Sequence, residues 1–251
     1  MSTSQRQRQT VDEIGHRPYP PPSEPWVMAQ SWLHLLFAHW PTAPSAMEPL
    51  LPPGLELDTW EGSAWVAITP FAVDGLRPRL LPPVPPLSHF LETNVRTYVR
   101  RGGRPGILFF SLDATSRTAA RAARTLYQLP YFAAEGSMDV ADNAVAYRIK
   151  RRGQPQVLHA DYAADGPAAP AQRGKLEHFL AERYCFYTRS PIGGLLRCEI
   201  HHPPWMLAPA SGEVSWRHLL PPGLPRPDTA PLLHYAARQD VVAWRPMRVR
   251  A

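Results

Sequence analysis

Hydrophobic and polar positions alternate most regularly between Ser88 and Gly136, SHFLETNVRTYVRRGGRPGILFFSLDATSRTAARAARTLYQLPYFAAEG. Glu92, Asn94, Arg96 and Tyr98 fall at spacing two, so on a strand they share one face. Leu91, Thr93, Val95, Thr97 and Val99 occupy the other. After the Arg-Gly-Gly-Arg-Pro-Gly turn, the apolar run at 107–112 predicts a buried strand. Ser116 stands where it can cap a helix over Arg117–Tyr127. Leu129-Pro130 ends that helix, and Tyr131-Phe132 opens the next extended piece.

Elsewhere the elements are short. Residues 28–40 read as a strand and 43–51 as a short helix before the Leu-Pro-Pro-Gly turn. Residues 55–59 and 63–71 read as a hairpin, and 77–87 as a proline-rich loop. Two more hairpins are expected at 144–150 with 156–162, and at 184–188 with 195–202. A short helix at 176–183 puts Leu176, Phe179 and Leu180 on one face. A strand at 207–214, a helical turn at 215–220 and a last hairpin over 231–237 and 241–249 complete the chain. With no internal repeat and no linker, this is a single, mostly antiparallel α+β domain with a few short helices.

Composition sharpens the picture in three places. The 31 prolines among 251 residues, roughly twice the usual share, mark strand ends and stiff loops. The net charge of +6 rests almost wholly on arginine. Its clusters, Arg100-Arg101 and Lys150-Arg151-Arg152, sit beside glycines and read as solvated turns, so no nucleic-acid partner is expected. Residues 1–25 are polar and proline-rich and predict a disordered, dispensable tail, with one domain over 26–251. Two cysteines imply no disulfide framework, and no apolar run reaches the ~18 residues of a membrane span. These features point to a cytoplasmic protein with no membrane partner; a homo-oligomer stays open.

The polar row on the 90s strand has two readings: an ion-pair ladder on a solvated face, or one wall of a pocket inside a closed sheet. In the second, Arg96 is the charge partner of Glu92 or a clamp for a carboxylate, with Asn94 beside it. Glu182-Arg183-Tyr184 is either a structural ion pair or a lid contributed by Arg183 and Tyr184. His201 and His202 are adjacent, so a strand points them to opposite faces and no metal is expected there. One of them, His201 in the reading adopted, faces the interior with Glu92. No nucleotide or phosphate loop and no serine-nucleophile elbow is present, and no cofactor is expected.

The motifs ETNVRTYV, FFSLDA, LPYFAA, ERY and IHHPPW resemble the YqjF-like family of bacterial proteins across most of the chain. That resemblance implies a closed or cone-like curved sheet of the acetoacetate decarboxylase-like type. Decarboxylases of that fold carry an Arg, five residues, then Pro-Lys, whose lysine forms a Schiff base. Here Arg124 and Pro130 keep the spacing, but Tyr131 follows. A phenol forms no imine, so the resemblance brings the scaffold without the known chemistry. It places Glu92 at an active-site glutamate. The catalytic set it suggests is Glu92, Tyr131 and Arg124, with Asn94, Arg96, Arg183, Tyr184 and His201 around a small oxo acid or other carboxylate. Tyr131 is either a proton donor and acceptor or a filler of the lysine's space. An enzyme and a non-catalytic ligand binder both remain open.

Overall fold

The computed structural model describes residues 1–84, 87–142 and 144–249. The chain opens with helix α1 (Thr3–Gln9), followed by the long strand β1 (Met28–Thr42). A single-turn helix α2 (Pro44–Met47) leads to a short strand β2 (Glu56–Leu57) and then β3 (Ala64–Pro78). The central stretch forms β4 (Phe90–Arg101), β5 (Arg104–Ala114), helix α3 (Arg117–Tyr127) and β6 (Tyr131–Ala141). The Ser116 hydroxyl caps α3 by accepting from the Ala119 N–H at 3.3 Å. Next come β7 (Ala144–Arg151), β8 (Val157–Ala164), the short β9 (Ala169–Pro170) and helix α4 (Leu176–Ala181). The chain ends with β10 (Cys185–Arg189), β11 (Leu195–His201), β12 (Met206–Arg217), β13 (Leu232–Ala243) and β14 (Met247–Arg248).

All but β9 of the 14 strands in the sheet lie on one path of pairings, which closes on itself twice. The first ring runs β5-β6-β7-β8-β12-β13-β1-β3-β4 and back to β5. The second runs β5-β10-β11-β13-β1-β3-β4 and back to β5. The shared wall forks at its ends. The C-terminal end of β5 pairs with β6 through Leu112–Ala114, while Ile107 and Leu108 pair with β10. Likewise β13 pairs with β12 through His234 and Tyr235, and with β11 through Val242 and Ala243. A strand in the shared wall is buried on both faces, which explains why β4 is closed to solvent from Glu92 to Val99. Its Val95 side joins the solid core of the first ring with Leu36, Ile68, Tyr147 and Leu158. Thr93 faces the same way and hydrogen-bonds the Tyr147 hydroxyl at 2.9 Å. The Glu92 side faces the second ring.

Four expectations give way to the structure. Residues 55–71 form no hairpin: β2 pairs with β4, where Arg100 meets Glu56 at 3.2 Å, and only an isolated Trp60–Ser63 bridge links back. Residues 215–217 continue β12 along β8 instead of turning helical. Residues 232–243 form one strand, β13, instead of half a hairpin. The polar Arg238-Gln239-Asp240 triplet that reads as a turn finds partners in Ser31 and Pro203. The proline-rich loop starts later than expected, since β3 runs to Pro78; Pro85 and Pro86 of that loop lie outside the described residues.

The N-terminal segment, expected to be a disordered tail, lies with helix α1, Thr10 and Arg17 against the domain. Three of its many polar side chains, Gln7, Thr10 and Arg17, are buried there. Gln7 donates to Ser31 Oγ and the Gly75 carbonyl, both at 3.1 Å, and accepts from Arg77 at 2.8 Å. Arg17 donates to the Ile200 carbonyl at 2.7 Å and to Glu199 at 3.3 Å.

Candidate functional site

The second ring encloses a cavity of about 140 Å³. One side is built from β3 and β4. Asn94 pairs with Thr69 in register, and Glu92 with Phe71, so their side chains enter the cavity as one row with Arg96. The rest of the ring carries Ile107, Phe109 and Leu112 from β5, Phe186 from β10, Ile200 from β11 and Val241 from β13. Helix α3 covers the mouth with Ala119, Ala122, Ala123, Leu126 and Tyr127.

Glu92 is 5% exposed. Burial pushes its carboxyl up to about 8. The Tyr131 hydroxyl, donating to Oε2 at 3.0 Å, and the Asn94 amide oppose that shift. Tyr131 is itself raised well above its ordinary value by burial and by the neighbouring carboxyl, so it stays a hydroxyl. The pair can therefore hold and pass a proton near neutral pH.

Arg96 is 5% exposed and has no carboxylate partner among the described residues. Its guanidinium lies over the rings of Phe37 at 5.2 Å and Tyr98 at 5.9 Å. Nε and Nη2 have no hydrogen-bond partner, and neither have Asn94 Oδ1, Thr69 Oγ1 or the Trp32 and Trp205 indole nitrogens. Buried polar atoms are normally paired, so a row of open ones along a cavity wall suits a polar ligand group. Behind Arg96, the Tyr98 hydroxyl meets His39 Nε2 at 2.6 Å.

Of the residues singled out in the sequence, Glu92, Asn94, Arg96, Tyr131 and Arg183 line this one cavity. Arg183 is already engaged, with Asp58 at 2.5 Å and the Phe179 carbonyl at 2.7 Å, so the ion-pair reading describes it better than a lid. Arg124 does not reach the cavity. With Arg117 and Arg121 it forms an exposed stripe at helical spacing, opposite the alanines of α3. Asp113 on β5 is held by Arg151 at 2.6 Å and is not free to pair with Arg124. Tyr184 is buried away from the cavity and donates to Glu182. His201 also faces away: Nε2 contacts the Thr10 carbonyl at 2.7 Å, Nδ1 contacts Arg17 at 3.2 Å, and burial lowers it to about 3. His202 lines the cavity in its place. Strand alternation separates the two histidines but gives no sign of which one points inward. Thr69, Trp32 and Trp205 were missed; their only signal is register against distant strands or a loop contact, which a single sequence does not carry. Among the described residues no group of three or more His, Cys, Asp or Glu is arranged to hold a metal.

Two closed rings sharing a wall, with a buried carboxyl and arginine in one of them, define an acetoacetate decarboxylase-like fold. The similar solved structures are of that class. An acetoacetate decarboxylase-like enzyme from Sphingomonas wittichii RW1 matches with a TM-score of 0.65 at 12% identity, over 95% of this chain and 100% of that one. Acetoacetate decarboxylase from Legionella pneumophila matches with a TM-score of 0.60 at 16% identity, over 96% and 95%. The enduracididine biosynthesis enzyme MppR, complexed with pyruvate, matches with a TM-score of 0.61 at 13% identity, over 94% and 97%. Within that fold the chain belongs to the DUF2071 family of uncharacterised conserved proteins, whose profile matches residues 29–240. It is 42% identical over 225 residues to YqjF of Bacillus subtilis, covering 89% of this chain and 92% of that protein. No helix among the described residues is long and apolar enough to cross a membrane.

Proposed function

We propose that this cavity binds a small carboxylate, most simply a 2-oxo acid, and that Glu92 with Tyr131 moves a proton at the carbon beside its carbonyl, without a covalent imine. The observation that carries this reading is the row on β4. It sets a carboxyl raised to about 8 four residues along the strand from an unpaired buried guanidinium, in one cavity. Arg96 holds the ligand's carboxylate through its open Nε and Nη2. Ionised Glu92 takes the proton, and the Tyr131 hydroxyl donates to whichever oxygen carries the developing charge. The pyruvate bound to MppR lends the ligand class some support. No lysine takes part, since Lys150 and Lys175 are both exposed and neither lines the cavity.

The test is proton exchange at C3 of 2-oxobutyrate in D2O, followed by proton NMR. The wild type accelerates exchange, with a rate that rises with pH and levels off above about 8. Glu92→Gln slows it on the order of a hundredfold or more. Equal exchange by both proteins contradicts the catalytic role. The largely apolar lining favours a second reading, a carrier that binds the same ligands without turnover. Arg96-dependent binding with no exchange would identify it.

A further inference from the structure

The polar groups of the cavity are distributed unevenly, and that asymmetry describes the ligand. The open hydrogen-bonding atoms come from β3 and β4, with Thr69, Asn94 and Arg96, and from the indoles of Trp32 and Trp205. The indoles lie 5.9 Å apart, and Trp205 sits 4.8 Å from Phe37, the ring beneath Arg96. The remaining polar lining groups are engaged or peripheral. Arg183 is tied to Asp58, and Tyr131 to Glu92. Both ring nitrogens of His202 face backbone carbonyls, at 2.8 and 3.2 Å. Gln30 is half-buried on β1. Apart from the Tyr127 hydroxyl, the other wall and the α3 lid offer only carbon surface. A second carboxylate or a string of hydroxyls placed there would lose its water and gain at most that one partner. The volume of about 140 Å³ compares with the roughly 150 Å³ of an apolar protein cavity that takes up benzene.

We infer that the ligand is a monocarboxylate bearing an aryl or similarly bulky apolar group, seated with its carboxylate on Arg96 and its ring beneath the alanine face of α3. This rests on the carboxylate reading above and narrows it. The alanines matter because small side chains at 119, 122 and 123 leave room that larger residues on the same helix face would fill.

Calorimetric titration with five probes tests the inference: pyruvate, oxaloacetate, phenylpyruvate, 3-phenylpropionate and neutral phenylacetone. Phenylpyruvate and 3-phenylpropionate should bind roughly a hundredfold more tightly than pyruvate, from the extra apolar area buried. Phenylacetone and oxaloacetate should bind at least tenfold more weakly than phenylpyruvate. Arg96→Leu should bring phenylpyruvate down to the level of phenylacetone. Ala123→Phe, which occupies the space under α3, should reduce the preference for phenylpyruvate over pyruvate at least tenfold. Melting curves of both variants establish that they are folded. If pyruvate or oxaloacetate binds as tightly as phenylpyruvate and still needs Arg96, the aryl inference is overturned and the carboxylate reading stands. If no acid binds in an Arg96-dependent way, both fall.

Discussion

At Glu92 the chain keeps a carboxylic acid where water cannot stabilise its charge. Its folded value of about 8 lies above the ordinary 4.5, so between those limits the folded protein holds a proton that the unfolded chain releases. The stabilising contribution is therefore fully present below about pH 4.5 and is lost as the pH rises through about 8. Relative to Glu92→Gln, the wild type should lose stability between pH 5 and 8.5, by up to about 4 kcal/mol. Urea denaturation of both proteins at the two pH values checks this, and parallel profiles would contradict it. Tyr131 gives the second expectation at this scale. Wild-type protein treated with acetoacetate and borohydride should carry no adduct, because both lysines lie outside the cavity. Tyr131→Lys puts an amine next to Glu92 in a desolvated site and should be trapped stoichiometrically, as intact mass will report. An adduct on Lys150 or Lys175 of the wild type would contradict the reading that no lysine takes part.

At the scale of elements, the N-terminal segment and the strand crossings decide stability. Deleting residues 1–22 removes Arg17 and Gln7 and leaves Glu199, His201 and Arg77 buried with fewer partners. Stripping partners from buried charges costs on the order of 3–5 kcal/mol, so the melting temperature should fall by roughly 10 °C. An unchanged melting curve would return the segment to the status of a tail. Gly212 sits where β12 pairs with Tyr162 of β8: its φ is +147°, and a Cβ there would lie 2.1 Å from the Asp161 carbonyl oxygen. Gly212→Ala should destabilise the fold by about 2 kcal/mol or more, measured by denaturant midpoint. The element types were legible where local signals agree, as in the Ser116 cap, the Leu129-Pro130 stop and the alternation of β4. They were not legible where a polar run is satisfied from far away. Arg238 and Asp240 reach Ser31, 207 and 209 residues off in sequence, so a stretch that looks like a turn is a strand. The N-terminal segment misled for the same reason, since composition counts its polar residues but not their buried partners.

For the whole molecule, the deciding feature is that one wall serves two rings. It makes β4 a strand with no solvent face, so its two alternating rows address different interiors: a packed core through Val95 and a cavity through Glu92, Asn94 and Arg96. The alternation was visible in the sequence. The forks of β5 and β13 that create the second interior depend on pairings distant in the chain, and nothing local announces them. For the same reason the β4 residues of the site could be picked out in advance, while His202, Thr69 and Trp205 could not. The central claim is that this geometry holds one carboxyl protonated at neutral pH, facing a cavity. Carbon-13 NMR of the side-chain carboxyls, titrated from pH 3 to 10 in the wild type and in Glu92→Gln, tests it directly. The account predicts one carboxyl resonance with a midpoint near 8 that is missing from the variant. A wild-type spectrum in which every carboxyl titrates below pH 6, or a high midpoint that survives in Glu92→Gln, would contradict it.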